Sequence, residues 1–110
     1  MIAAIIYIAM LFTSPTTTCV ATWYDMHGSR TASGTRMHRD SLTAAYNHVA
    51  LGTKLEIRNM TTNATCTVRV TDRMGVKTAN RIDLSYAAFG RIAKHSQGKA
   101  HVTVTTLNND

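Results

Sequence analysis

Residues 66–71, Cys66-Thr67-Val68-Arg69-Val70-Thr71, alternate apolar and polar side chains, and the run closes on Asp72. A period of two is the signature of a β-strand with one face in a core and the other in water. Strands also fit Val20–Asp25, Lys54–Asn59 and His101–Leu107; in the last, Val102, Val104 and Thr106 alternate with His101, Thr103 and Thr105. Leu84, Ala88 and Ile92, with Phe89 beside them, recur at helical spacing. Ser85–His95 is therefore expected to be an amphipathic helix with its stripe on the sheet. Leu42–Tyr46 reads as a short turn or helix, and Ser33-Gly34 as a turn in a polar loop. With no linker, low-complexity segment or tandem repeat, 110 residues make one domain with a limited core.

Eleven residues after Asp72 stands a second aspartate, in Arg81-Ile82-Asp83-Leu84-Ser85. Asp72 sits at a strand end and Asp83 just before the helical pattern, two places from which a small fold can aim carboxylates into one cleft. Paired carboxylates are the usual equipment for cleaving a glycosidic bond. The alternative is structural, with Asp72 ending a strand and Asp83 capping a helix.

The formal net charge is +6, and the first 21 residues contain no Lys, Arg, Asp or Glu. A basic surface favours polyanions such as nucleic acid, an anionic membrane or acidic wall polymers. The 12 basic residues are scattered from Arg30 to Lys99 without a run or interleaved aromatics, which argues against a nucleic-acid partner. Ile2 to Phe12 form an apolar run too short to span a bilayer, followed by the polar break Thr13-Ser14-Pro15-Thr16-Thr17-Thr18. Residues 1–18 are thus expected to be a secretory signal, although the n-region lacks a basic side chain, with residues 19–110 as the folded domain and no membrane span after cleavage.

Seven segments, Ala21-Thr22-Trp23-Tyr24, His27-Gly28, Thr31-Ala32-Ser33-Gly34, Leu42-Thr43-Ala44-Ala45, Gly52-Thr53-Lys54-Leu55, Asp72-Arg73 and Ile82-Asp83-Leu84-Ser85, follow one another in the order and spacing of the RlpA-like domain. The chain resembles that family over about ninety residues. The resemblance implies a mainly β fold, a six-stranded double-psi β-barrel with one or two short helices, found in rare lipoprotein A and related to the first domain of expansins. In the lytic members, an acid protonates the glycosidic oxygen between N-acetylmuramic acid and N-acetylglucosamine. The muramyl 6-hydroxyl then closes a 1,6-anhydro ring and no water is consumed.

Carried onto this sequence, the resemblance makes Asp72 the catalytic acid and Asp83 its companion, with Tyr24, Thr31, Ser33, Tyr46, His48 and Arg73 on the substrate. It implies peptidoglycan glycan strands as partner, no cofactor, a monomer, and a secreted, periplasmic or cell-envelope location. The chain departs from the family at three polar positions: Tyr46 replaces the histidine of Thr-Ala-Ala-His, Thr35 an acidic residue and His38 an aspartate. His48 is either a substitute for that histidine or a plain surface residue. The Asp-Arg-Gly-Pro turn becomes Asp72-Arg73-Met74-Gly75. The alternative activity is a non-catalytic, expansin-like wall binder or loosener.

Of Trp23 and Tyr24, adjacent on a strand, one must face the core; Trp23 is assigned to packing and Tyr24 or Tyr46 to the cleft. Export permits a disulfide between Cys19 and Cys66, ranked ahead of a lipid anchor at Cys19 because Thr16-Thr17-Thr18 lacks a lipobox. No metal site is expected, since the histidines at 27, 38, 48, 95 and 101 show no ligand spacing. The sequons at Asn59 and Asn63 are read as a turn between strands.

Overall fold

The computed structural model describes residues 15–75 and 80–107. Its elements are β1 (Thr16–Tyr24), β2 (Thr43–Ala45), β3 (Lys54–Asn59), β4 (Thr65–Asp72), β5 (Arg81–Ser85), helix α1 (Tyr86–Ile92), a 3-10 turn at His95–Gln97 and β6 (Ala100–Thr106). The six strands close into a barrel in the order β1-β5-β2-β4-β3-β6. The β1/β5 and β2/β4 pairs are parallel, and the other four are antiparallel. Closure pairs every described strand on both edges, which removes edge-to-edge strand pairing as a route for another chain.

Alternation builds the interior. Cys19 and Ala21 of β1, Leu55 and Ile57 of β3, Cys66, Val68 and Val70 of β4, Ile82 and Leu84 of β5, and Val102 and Val104 of β6 all point inward. Helix α1 closes the barrel with Ala88, Phe89 and Ile92 buried. Its N-cap is Ser85, whose Oγ accepts from the Ala88 N–H at 3.2 Å and donates to the Ser41 carbonyl at 2.6 Å. Asn63 adopts φ 64° in the β3–β4 turn, as the turn reading of the sequons requires. Asn59 is buried there and donates to the Ile92 carbonyl at 2.8 Å.

Several expectations are corrected. Leu42–Tyr46 holds a strand, β2, because Ala44 and Ala45 pair with β5 on one side and β4 on the other. The helix is shorter than Ser85–His95, and Asp83 belongs to the middle of β5 rather than to a helix start. In Arg81–Ser85 two alternations of period two are overlaid by the longer helical stripe that borrows Leu84, so the strand was hidden. Strand β1 runs Thr16–Tyr24, with Thr16 paired with Thr105, where Val20–Asp25 was expected. Most of the expected signal, residues 1–14, lies outside the described residues.

The disulfide is also corrected: Cys19 and Cys66 are both free and buried. β1 and β4 stand three places apart on the six-strand ring, so the thiols approach the core from opposite walls. The Cys19 Sγ lies 3.9 Å from the Tyr46 hydroxyl, and the Cys66 thiol donates to the Ala88 carbonyl at 3.6 Å. Burial raises both thiols, Cys66 to about 11.

Candidate active site

By parity, a strand that buries Cys66, Val68 and Val70 should bury Asp72 as well. It does not, because the β2/β4 register slips by one residue: Ala44 pairs with Val70, but Ala45 pairs with Asp72, leaving Thr71 as the extra residue. A one-residue slip of this β-bulge kind moves the next side chain to the other face. On its other edge Ala45 pairs with Asp83. Asp72 and Asp83 thus flank one alanine, two strand spacings apart, which puts their Cα atoms about 10 Å from each other along the barrel wall.

The cleft they border has a volume of about 250 Å³ and is lined by Tyr24, Met26, Ala45, Asp72, Arg73, Met74, Gly75, Arg81 and Asp83. Asp72 Oδ1 accepts from the backbone N–H groups of Ala32 at 3.0 Å and Arg73 at 2.9 Å. The Ala32 donor comes from a loop held by Gly34, whose φ of 90° closes the turn back to the Thr31 carbonyl. Among the described residues no hydrogen bond reaches Asp72 Oδ2. Asp83 Oδ1 accepts from Thr22 Oγ1 at 2.6 Å, across the β1/β5 pair that sets Thr22 against Asp83.

Trp23 and Tyr24 leave opposite faces of β1. Trp23 packs edge-on against Tyr86 and His95, at ring-centroid distances of 5.4 and 5.1 Å, and donates its indole N–H to the His95 carbonyl at 3.1 Å. Tyr24 faces the cleft. Burial above all pushes its phenol up to about 12; Asp72 and Asp83 add to the rise and the Thr43 hydroxyl opposes it. Neither the Tyr24 nor the Thr43 hydroxyl makes a hydrogen bond of regular geometry.

The other residues expected on the substrate are placed differently. Tyr46 turns into the core, 4% exposed, with its hydroxyl against Cys19 and burial raising it to about 12. His48 is exposed, edge-on to Tyr46 at 5.2 Å, and does not line the cleft. Arg73 lines the cleft, but its Nη1 donates to the Tyr46 and Val49 carbonyls at 2.6 Å each, which latches the segment after β2. Thr31 and Ser33 stand in the loop behind Asp72, joined to each other at 2.9 Å, with Thr31 buried and donating to the Thr35 carbonyl at 2.7 Å. His38 is exposed and edge-on to His27 at 4.7 Å.

Sequence reasoning missed Met26, Ala45 and Arg81 as cleft residues, and Thr22 as the partner of Asp83. Arg81 was findable: two positions before Asp83 on a strand, it must share its face. Among the described residues no group of three or more His, Cys, Asp or Glu is placed to hold a metal ion, and no helix is long and apolar enough to cross a membrane.

Residues 16–104 match a family model described as lytic transglycolase. The Synechocystis sp. protein named "Probable endolytic peptidoglycan transglycosylase RlpA" is 36% identical over 87 residues, covering 77% of this chain and 27% of that protein. The endolytic peptidoglycan transglycosylase RlpA of Campylobacter jejuni is 33% identical over 90 residues, covering 80% and 33% respectively. The chain thus spans about a third or less of the length of these curated relatives. Among solved structures, the Streptomyces papain inhibitor superposes with a TM-score of 0.74 at 24% identity, covering 88% of this chain and 98% of that one. The unliganded expansin of Clavibacter michiganensis gives 0.73 at 22%, covering 87% and 52%. These two likenesses speak to the fold, a double-psi β-barrel. The family match over the whole barrel, together with the RlpA relatives, shows that this chain belongs to the lytic transglycolase family.

Proposed function

We propose that the protein is a cell-envelope lytic transglycosylase that cuts the N-acetylmuramic acid–N-acetylglucosamine bond of peptidoglycan to 1,6-anhydro products. The observation that carries this reading is the placement of Asp72 and Asp83 on either side of Ala45. A glycan strand laid over that small side chain meets one carboxylate on each flank. Asp72 Oδ2 gives its proton to the glycosidic oxygen as the C1–O bond breaks. The muramyl C6 hydroxyl oxygen then bonds to C1, and its proton returns to Asp72 Oδ2, so the acid is regenerated without water. Asp83, oriented by Thr22, supports the positive charge that develops at the sugar ring. Tyr24 and the thioethers of Met26 and Met74 offer apolar surface to the ring faces.

Export through the apolar leader fits a wall substrate and remains part of the proposal. A second reading, a non-catalytic wall binder, is favoured by one observation: no histidine lines the cleft, and Tyr46, at the family's histidine position, is sealed in the core. Muropeptide analysis of digested sacculi separates the two. Anhydromuramyl products establish the enzyme; pelleting with sacculi without products establishes the binder. Loss of pelleting in moderate salt reduces binding to surface charge.

A further inference from the structure

We propose that Arg81 determines specificity by binding a carboxylate carried by the sugar that lies between Asp72 and Asp83. This rests on the cleft being a glycan site. Of the two guanidinium groups lining the cleft, that of Arg73 is committed through Nη1 to two carbonyls. Arg81 is half-buried, and its Nε and Nη2 both approach a single oxygen, Thr22 Oγ1, at 3.4 Å. Among the described residues it forms no ion pair: its neighbour Asp83 is reached only through the Thr22 hydroxyl, which spends its proton on Asp83 Oδ1 at 2.6 Å.

That arrangement sets the chemistry. A guanidinium has five N–H donors in a planar fork, and the end-on pair on Nη1 and Nη2 matches the two oxygens of a carboxylate. Here the Nε side leans on Thr22, which fixes the fork, while no hydrogen bond among the described residues occupies Nη1. Partial burial weakens solvent screening of the charge. A neutral saccharide would offer the Nη1 edge of this guanidinium no charged acceptor. A sugar with its own carboxylate, such as a muramyl unit whose lactyl group is free, supplies two oxygens for it. Asp83, two positions along the same strand, bars a second anionic group, so the subsite takes a single carboxylate.

The test is isothermal titration in an Asp72→Asn background, which keeps the strand uncut. The probes are stem-free glycan oligosaccharides with the lactyl carboxylate free and the same oligosaccharides capped as methyl amides. The protein with Arg81 should bind the free carboxylate about tenfold more tightly than the capped form, and Arg81→Gln should bind both equally. Arg81→Lys should keep part of the preference, having charge without the fork. An equal loss for both probes in Arg81→Gln would make Arg81 a positioning residue for Thr22 and Asp83 and overturn the proposal. So would an undiminished preference in that variant, or no binding of the carboxylate probe. Product analysis is scored separately with Asp72 in place: discrimination without anhydro products keeps the role of Arg81 and removes the lytic reading.

Discussion

Asp72 and Asp83 are paired with the same residue, Ala45, from opposite edges of β2. The two acids are therefore held at a fixed span by strand geometry, and neither depends on the other's side chain for its position. Their tasks can be separated by substitution.

Asp72→Asn should abolish anhydro-product formation while leaving the fold intact, because the amide oxygen still accepts from Ala32 and Arg73 but the group no longer transfers a proton. Loss of the acid is expected to cost roughly 100- to 10,000-fold in rate. Asp72→Ala should add a stability loss of about 1–3 kcal/mol, since it strips an acceptor from two N–H groups. Chromatography of the products and thermal melting check both. Normal turnover by a folded Asp72→Asn protein would remove Asp72 from the mechanism.

Ala45→Leu should block the cleft floor between the two acids. The side chain at 45 faces the cleft and not the barrel core, so a larger one projects into the volume where a sugar would lie. Sacculus pelleting should fall sharply with the circular dichroism spectrum unchanged. Full binding by this variant would place the glycan elsewhere on the barrel.

Gly90→Ala should destabilise the protein, although an exposed helical Gly→Ala change alone would stabilise it by about 1 kcal/mol. A Cβ at position 90 would meet His95 Cε1 at 2.8 Å. That ring has little freedom to move, being stacked on Tyr86 at 3.7 Å with its Nε2 bonded to the Tyr86 carbonyl at 2.7 Å. The expected net loss is about 1–2 kcal/mol. In a His95→Ala background the same change should become stabilising, and a double-mutant cycle by denaturant unfolding reads the sign reversal.

Alkaline pH should unfold the barrel cooperatively. Cys66 is raised to about 11 and Tyr24 and Tyr46 to about 12, all chiefly by burial. Each raised acid stabilises the fold fully below its unfolded value, near 9 for the thiol and 10 for the phenols, and that contribution is lost as pH rises through the folded value. For buried Tyr46 and Cys66 the contribution is at most about 3 kcal/mol each. Denaturant midpoints should fall from about pH 9 upward, and the phenolate absorbance of Tyr46 should grow only as the protein unfolds. Titration of all tyrosines near their ordinary value with the fold retained would contradict this.

Native thiol labelling should be slow at neutral pH and should yield two equivalents only on unfolding, since both cysteines are free and buried. Recovery of a Cys19–Cys66 linked peptide from the unreduced protein would overturn the free-thiol assignment.

What the sequence determined by itself was the set of inward faces. The alternations in 54–59, 66–71 and 101–107 became β3, β4 and β6 with their apolar members in the core, because a period of two has only one way to bury them. The ordered motifs likewise pointed to a six-stranded barrel, and the strands close in that number. Tertiary structure decided which side chains reach the cleft. Parity alone would bury Asp72, and only the register slip at Thr71, visible in the pairing of β2 with β4, turns it outward. Asp83 looked like a helix cap until its pairing with Thr22 and Ala45 made it a mid-strand residue. Tyr46 and Cys19 meet inside the barrel and Arg73 swings to the Tyr46 and Val49 carbonyls, contacts between segments whose closeness no local pattern records. Local periodicity fixes which face of an element is apolar, whereas the register between strands distant in sequence fixes what those faces meet.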